Sequence, residues 1–158
     1  MKKVILSAVA AATSAVATAG PTSTVMPVTA LVIESCAVVA QPLVFGQLAL
    51  NAGDHDATTT INVTCTPGVS YTVGLDQGAH AAGGVRQMQG TLNGSAVPYK
   101  LFSDAARTIE WGASVGANTV AGVGGLLRTH TVYGRVPQSA NLFAAGGYSD
   151  AVTVTVTF

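Results

Sequence analysis

Three consecutive residues, Asp54-His55-Asp56, combine side chains that could bind a divalent metal ion, since carboxylate and imidazole groups are common ligands. They follow Asn51-Ala52-Gly53, a stretch that is typical of a turn. In a loop that flanks a strand, alternating side chains diverge, so the three potential ligands would not converge on one ion. We therefore expect a turn rather than a metal site.

The other histidines, His80 and His130, stand in no ligand or catalytic motif, and we expect both to be exposed polar residues. Serine, histidine and aspartate are all present, but no nucleophile elbow or other catalytic signature surrounds them. The sequence thus predicts a protein that is not an enzyme and uses no cofactor and no small-molecule substrate.

The two cysteines, Cys36 and Cys65, have a clearer chemistry. In an oxidising compartment a disulfide between them is the default interpretation, with two free buried thiols as the alternative. Closing a loop of this length would stabilise the fold by about 3–4 kcal/mol in the chain-entropy model.

The N-terminus indicates such a compartment. Lys2 and Lys3 form a basic start, residues 4–16 are apolar or small, and Ala17-Thr18-Ala19 fits a cleavage site. The apolar run is too short for a spanning helix, which needs about 20 residues. We predict that residues 1–19 are a removable signal peptide and that the chain passes through a bacterial periplasm to the cell surface.

Composition excludes a further class of function. Without Lys2 and Lys3 the chain has five Lys and Arg against seven Asp and Glu, so it lacks the basic cluster that nucleic-acid binding requires. Charged residues are 9% of the chain and apolar residues 49%, which is sparse for a surface that stays soluble alone. We expect one domain with part of its surface covered by another molecule.

The remaining sequence reads as strands. Short alternating or β-branched runs are separated by Gly, Asn, Asp and Pro clusters, a pattern typical of a β-sandwich. The predicted strands cover residues 28–33, 36–44, 58–66, 70–75, 87–92, 98–102, 129–136 and 151–158. Residues 77–84 and 112–125, rich in Gly and Ala, are expected to be connections.

At both ends of the predicted mature chain, apolar side chains share one parity. At the C-terminus the apolar side chains of one parity are Val152, Val154, Val156 and Phe158. Near the N-terminus the corresponding set is Met26, Val28, Ala30 and Val32. That first segment precedes Cys36 and follows a flexible, Pro-containing start, so it could be given to another molecule as a strand. Pro27 lacks a backbone donor, which suits an end or edge of such a strand.

Three further residues could have either a binding or a packing role. We expect Trp111 to be anchored in the core or a loop, Tyr133 to pack in the core, and Arg135 to pair with a carboxylate at one end of the sandwich.

An ordered series of motifs spans about residues 28–158. It consists of Cys36-Ala37-Val38, Leu43-Val44-Phe45-Gly46, Ile61-Asn62-Val63-Thr64-Cys65-Thr66, Tyr71-Thr72-Val73-Gly74-Leu75-Asp76-Gln77-Gly78, Arg86-Gln87-Met88, Pro98-Tyr99-Lys100-Leu101-Phe102-Ser103-Asp104, Trp111-Gly112, Val132-Tyr133-Gly134-Arg135-Val136-Pro137 and Ala145-Gly146-Gly147-Tyr148-Ser149-Asp150. The series resembles the spore coat protein U domain, which is found in subunits of archaic chaperone-usher pili.

The resemblance implies an all-β, immunoglobulin-like sandwich that lacks its last strand. A periplasmic pilus chaperone would fill the gap, and an outer-membrane usher would exchange the chaperone strand for the extension of the next subunit. The implied donor side chains are Met26, Val28, Ala30 and Val32. The implied acceptor groove and chaperone contact comprises Val38, Val152, Val154, Val156 and Phe158. The family commonly ends in tyrosine or a similar aromatic residue, and this chain ends in phenylalanine.

The sequence therefore predicts a signal peptide (1–19), a donor extension (20–33) and a pilin domain (34–158). The implied function is that of a structural subunit of a surface polymer, a pilus or a coat-like layer, that assembles by donor-strand exchange and serves adhesion and biofilm formation. A monomeric secreted binding module or tip adhesin is the alternative.

Overall fold

The computed structural model of the chain describes residues 20–49, 53–92, 94–138 and 144–158. The predicted signal peptide lies outside these residues. The chain divides into two compact units, Met1–Leu31 and Val32–Phe158. Over the described ranges, no helix is long and apolar enough to cross a membrane.

In the first unit, the described residues 20–31 form no strand. The strand predicted over residues 28–33 is therefore not formed in the single chain. The side chains of Met26 and Val28 are exposed.

The second unit is built from antiparallel strands. They are β1 (Cys36–Ala40), β2 (His55–Cys65), β3 (Ser70–Leu75), β4 (Gln87–Gly90), β5 (Ala96–Pro98), β6 (Lys100–Phe102), β7 (Val120–Val123), β8 (Arg128–Val136), β9 (Tyr148–Ser149) and β10 (Val154–Thr157). One sheet has the order β1-β2-β8-β6, a second has the order β10-β3-β7, and a small third has the order β5-β4-β9.

The core follows from alternation along the central strands. Ile61 and Val63 of β2 and Val73 and Leu75 of β3 are almost fully buried, while Asn62 and Thr72 beside them are only half-buried. Because alternate residues of a strand share a face, each sheet presents one apolar face to a common core. The two larger sheets thus form a sandwich, as the sequence predicts.

The strand predicted over residues 36–44 is shorter than expected. It ends at Ala40 because Pro42 has no N–H to continue the ladder, and the last bond runs from Gln41 N–H to the Thr60 carbonyl, at 3.0 Å. The following residues, Leu43 and Phe45, are half-buried and pack close to Gly134 of β8.

One strand lies where the sequence predicts a connection. β7 occupies part of residues 112–125, and its Gly122 pairs with Tyr71 of β3. A Cβ on Gly122 would lie within 2.9 Å of three atoms of the Tyr71 side chain, so only glycine lets the strands approach this closely. Gly122 is thus required for packing, although the glycine content of this segment is typical of a loop.

The terminal strand is regular only over its second half. Residues 151–153, the expected start of this strand, form only irregular hydrogen bonds with the segment that follows β3. Asp76 N–H donates to the Thr153 carbonyl (3.1 Å), and Ala79 N–H donates to the Ala151 carbonyl (3.0 Å). Gly78 adopts a positive φ of 83° between these two donors, which bends the partner chain out of the ladder.

Candidate functional site

The two sheets meet along a seam between two edge strands. Among the described residues, β1 pairs with β2 alone and β10 pairs with β3 alone. The two edge strands lie near each other but are not hydrogen bonded to one another. Each therefore presents a free backbone edge to a strand that could pair with it.

Val38 on β1 faces the interior of the sandwich and is nevertheless exposed. It is the register partner of Val63, and paired residues of an antiparallel ladder point to the same face. Val63 is 0% exposed, whereas Val38 is 38% exposed. The core-facing side of β1 thus lacks a covering element.

The core-facing side of β10 shows the same feature. Val154 pairs with Leu75 and Val156 with Val73, and both partners are buried. The two valines themselves are half-buried. Both walls of the seam therefore have apolar side chains that point inward without complete cover.

A cavity of about 440 Å³ opens at this seam. Its rim includes Ala40 at the end of β1 and Val152 and Val154 at the start of β10. Its floor reaches core residues of both sheets, among them Ile61, Leu75, Leu101 and Val132. An extended chain with apolar side chains at alternate positions could fill this cleft while its backbone pairs with a free edge.

A polar cluster lies at the mouth of the cavity. Asp150, whose side chain is 3% exposed, accepts hydrogen bonds from the Tyr99 hydroxyl (2.7 Å) and the His80 N–H (3.1 Å), and lies 3.0 Å from His80 Nδ1. Burial by itself would raise the pKa of Asp150, but hydrogen bonds from Tyr99, Ala151 N–H and His80 outweigh it and lower that pKa. Burial, together with the bond to Asp150, raises the pKa of Tyr99. The cluster fixes the chain where β10 approaches the cleft.

A buried cation supports the adjoining wall. Arg86 is 2% exposed, and its guanidinium donates to the carbonyls of Asp76 (2.8 Å), Leu75 (2.9 Å) and Trp111 (2.8 Å). Burial lowers the pKa of Arg86. Trp111 is buried and donates from Nε1 to the Val73 carbonyl at 2.9 Å, which confirms its predicted anchoring role.

A disulfide joins Cys36 to Cys65, as predicted. The two residues are direct register partners at one end of β1 and β2. The bond therefore fixes the start of β1, one wall of the seam.

The structure brings together part of the predicted acceptor set. Val152 and Val154 line the cavity, and Val38 and Val156 lie along the same seam outside it. Phe158 lies beyond the end of β10 and borders a separate apolar recess of about 570 Å³. The role of these residues in binding a strand stays a prediction.

The predicted donor side chains lie in an extension without a strand. Met26, Val28, Ala30 and Val32 are all exposed, and their role as donor side chains stays a prediction.

Sequence reasoning missed several residues of the cleft. Leu43, Phe45, Met88 and Tyr148 line it but were not predicted as site residues. The alternation of Leu43 and Phe45 after Pro42 is a signal that could have identified two of them. Met88 and Tyr148 come from the small third sheet, whose position no local pattern indicates.

Asp54 and Asp56 of the possible metal triplet are ion-paired. Arg135 binds both oxygens of Asp56 (2.7 and 2.8 Å) and lies 3.2 Å from Asp54, which confirms the predicted Arg135–carboxylate pairing. The hydrogen bond from Arg135 is the largest cause of the lowered pKa of Asp56. His55 lies in β2, with Nε2 3.2 Å from the Ala49 carbonyl. Within the described ranges, no group of three metal-binding side chains occurs.

Two expectations for single residues are wrong. Tyr133 is half-buried on the face opposite the core, beneath the guanidinium of Arg107, because it has the opposite parity to the buried Val132. His130 is part-buried rather than exposed: its Nε2 lies 2.9 Å from the Tyr71 hydroxyl, and its ring packs edge-on against Trp111.

His80 is exposed, as expected, but it is bound to Asp150.

Comparisons with known proteins agree with this architecture. The chain is 32% identical over 111 residues to Protein U of Myxococcus xanthus, an alignment that covers 66% of this chain and 62% of Protein U. The chain thus spans about three fifths of the length of that relative.

A solved structure has a similar fold. It is a chaperone–tip adhesion subunit pre-assembly complex from the archaic chaperone-usher Csu pili of Acinetobacter baumannii. The TM-score is 0.61 at 20% identity, over 80% of this chain and 40% of that chain. The similarity supports the predicted all-β, immunoglobulin-like fold.

The model of the Spore Coat Protein U domain matches residues 22–155, which include β1, the first half of β10 and most of the N-terminal extension. The chain belongs to the Spore Coat Protein U domain family.

Proposed function

We propose that this chain is a structural subunit of a surface polymer of the archaic chaperone-usher type, assembled by donor-strand exchange. The extension of one copy, through Met26, Val28, Ala30 and Val32, enters the seam between β1 and β10 of the next copy. The acceptor residues are Val38, Val152, Val154, Val156 and Phe158.

The observation that carries this proposal is the pair of uncovered, inward-facing walls. Val38 on β1 and Val154 on β10 point toward the core from opposite walls of the seam, and each lies on a free strand edge. Val154 also lines the cavity. A strand inserted between them would cover both valines and pair with backbone groups at the same time.

The energies favour strong complementation. Burial of each large apolar side chain stabilises by about 1.5–3 kcal/mol, and a whole domain is stable by about 5–15 kcal/mol. Three exposed large donor side chains, Met26, Val28 and Val32, therefore add a large fraction of a domain's stability when they are buried.

Before exchange, the same seam would be filled by a periplasmic pilus chaperone, and an outer-membrane usher would direct the exchange. Phe158, with the terminal carboxylate, is the residue that we assign to the chaperone contact. The polymer is displayed at the cell surface, where it serves adhesion and biofilm formation, and the subunit has no catalytic role, cofactor or nucleic-acid partner.

Deletion of residues 20–33 tests the proposal. The mature chain should form ladders that resist denaturing gel electrophoresis, and the deletion should abolish them while chaperone binding persists. Deletion of residues 20–24 alone is the matched control, because it shortens the leader and keeps the four donor side chains. Persistence of ladders without residues 20–33 would contradict the proposal.

A further inference from the structure

The residues just before β1 are held to the domain. Ser35 N–H donates to Thr66 Oγ1 (3.1 Å), Thr66 N–H donates to the Ser35 carbonyl (2.9 Å), and the Thr66 hydroxyl donates to the Ile33 carbonyl (3.1 Å). The chain is therefore fixed from Ile33 onward, one residue after Val32. We call the end of the sandwich that carries Thr66 and the Cys36–Cys65 bond the disulfide end.

This short connection limits where the next copy can lie, provided that donor-strand exchange operates as proposed. One extended residue spans at most about 3.6 Å. A neighbour that holds Val32 in its groove must therefore lie directly against the disulfide end of the donating copy.

The direction of the donor strand selects the end of the neighbour that makes this contact. β10 runs toward the disulfide end, so a donor antiparallel to β10 leaves the groove at the opposite end, near Ala40 and Asp150. A donor strand parallel to β10 would instead leave the groove at the disulfide end of the neighbour. The donating copy would then occupy the place where the neighbour's own extension leaves its domain. The copies therefore stack head to tail, which generates a fibre.

Two exposed leucines lie on the disulfide end. Leu126 is 94% and Leu127 59% exposed, in the turn between β7 and β8. Gly124 bonds through its N–H to the Val69 carbonyl (2.7 Å) and through its carbonyl to Gly68 N–H (3.3 Å), which holds this turn beside Thr66. Gly124 also lies so close to the disulfide that an added Cβ would be 2.9 Å from Cys65 Cβ.

A recess with a mixed polar and apolar lining lies at the opposite end, next to the seam cavity, with which it shares Leu43, Phe45, Met88 and Tyr148. It has a volume of about 780 Å³ and lies between residues 43–48 and 144–148. Val44, Phe45, Leu48 and Met88 contribute apolar surface to it. Its volume is sufficient for two leucine side chains.

We propose that Leu126 and Leu127 of one copy pack into this recess of the next copy, so that every junction of the polymer has a second contact beside the donor strand. The contact removes from water two leucines that are otherwise exposed side by side. It also restricts rotation about the short connection at Ile33.

A photo-crosslinking amino acid placed at position 126 of the full mature chain tests this contact. The matched control is the same amino acid at position 109, since Ile109 is 58% exposed and lies in a loop beside the outer edge strand β6. Irradiated polymers should yield crosslinks from position 126 to residues 43–48 or 144–148 of the neighbour, mapped by mass spectrometry, and no such crosslinks from position 109. The double variant Leu126→Ser, Leu127→Ser should keep its ladders but lose hydrogen-exchange protection of residues 43–48 in the polymer.

Ladders that form normally without crosslinks from position 126 to the recess would overturn this inference and leave donor-strand exchange intact. Unchanged protection of residues 43–48 in the double variant would overturn it as well. If the wild-type mature chain forms no ladders, the proposed function fails, and this contact fails with it.

Discussion

The Tyr99 hydroxyl donates a 2.7 Å hydrogen bond to Asp150, at the point where the terminal strand approaches the open seam. The bond links the residue before β6 to the residue that precedes the irregular start of β10. Because Asp150 is held from two sides, by Tyr99 and by His80, one wall of the seam is already fixed in the single chain.

Asp150 should make the domain sensitive to acid. Its pKa in the folded chain is lowered, so its stabilising contribution is complete above the unfolded aspartate pKa of about 3.9 and is lost as pH falls through the folded pKa. Urea unfolding can be followed by Trp111 fluorescence. The urea concentration at the unfolding midpoint should decrease as the pH is lowered from about 5 to about 2, an interval that brackets that pKa.

The variant Asp150→Asn isolates this effect. It should be less stable at pH 6, by about 1.5–3 kcal/mol for hydrogen bonds to a charged group, and should lose less stability on acidification. The remaining acid sensitivity reflects Asp56, Asp76 and Asp104, whose pKa values are also lowered. An acid profile of the variant parallel to that of the wild type would show that Asp150 does not contribute.

A charge on the inner wall of the seam should prevent polymerisation. In the variant Val154→Asp, a carboxylate would face the donor strand. Burying this unpaired charge costs about 3–5 kcal/mol, so the affinity for the donor strand should fall more than hundredfold. Thr155→Asp is the matched control, since Thr155 is exposed on the other face of β10. Ladder yield on a denaturing gel compares the two.

Trp111 fluorescence should be native-like in both variants. Equal ladder yields from folded Val154→Asp and Thr155→Asp would show that β10 does not line the acceptor site.

Loss of the disulfide should weaken the wall formed by β1. The variant Cys36→Ala, Cys65→Ala should lower the free energy of unfolding by about 3–4 kcal/mol, because the bond closes a loop of 29 positions. Urea titration of the variant is the measurement, and the wild-type chain in reductant is the control, which should match the variant. A reduced wild-type chain as stable as the oxidised one would contradict this role.

The sequence predicted those parts of the fold that depend on local alternation. β3 was predicted over its full length, and β2 and β8 within a few residues, because apolar and polar side chains alternate along them. The disulfide was predicted because the chain has only two cysteines and they follow a predicted signal peptide. The inward parity of Val154 and Val156 was likewise visible in the sequence.

The remainder depends on contacts between distant segments. β7 was missed because Gly122 is needed there to leave space for the Tyr71 ring of β3, a contact that the local sequence does not reveal. Tyr133 was assigned to the core although its parity places it on the other face, where Arg107 covers it. The cleft's Met88 and Tyr148 depend on how the third sheet packs, which one strand's sequence does not determine.

Refolding of the extension-deleted domain, residues 34–158, with and without a synthetic peptide of residues 22–35 tests the central claim most directly. The peptide should raise the free energy of unfolding by at least about 4 kcal/mol, through burial of its large apolar side chains, and should protect amides of β1 and β10 from exchange. A peptide with Met26, Val28 and Val32 replaced by serine should do neither. Equal stability of the domain alone, with the native peptide and with the serine peptide would contradict the account.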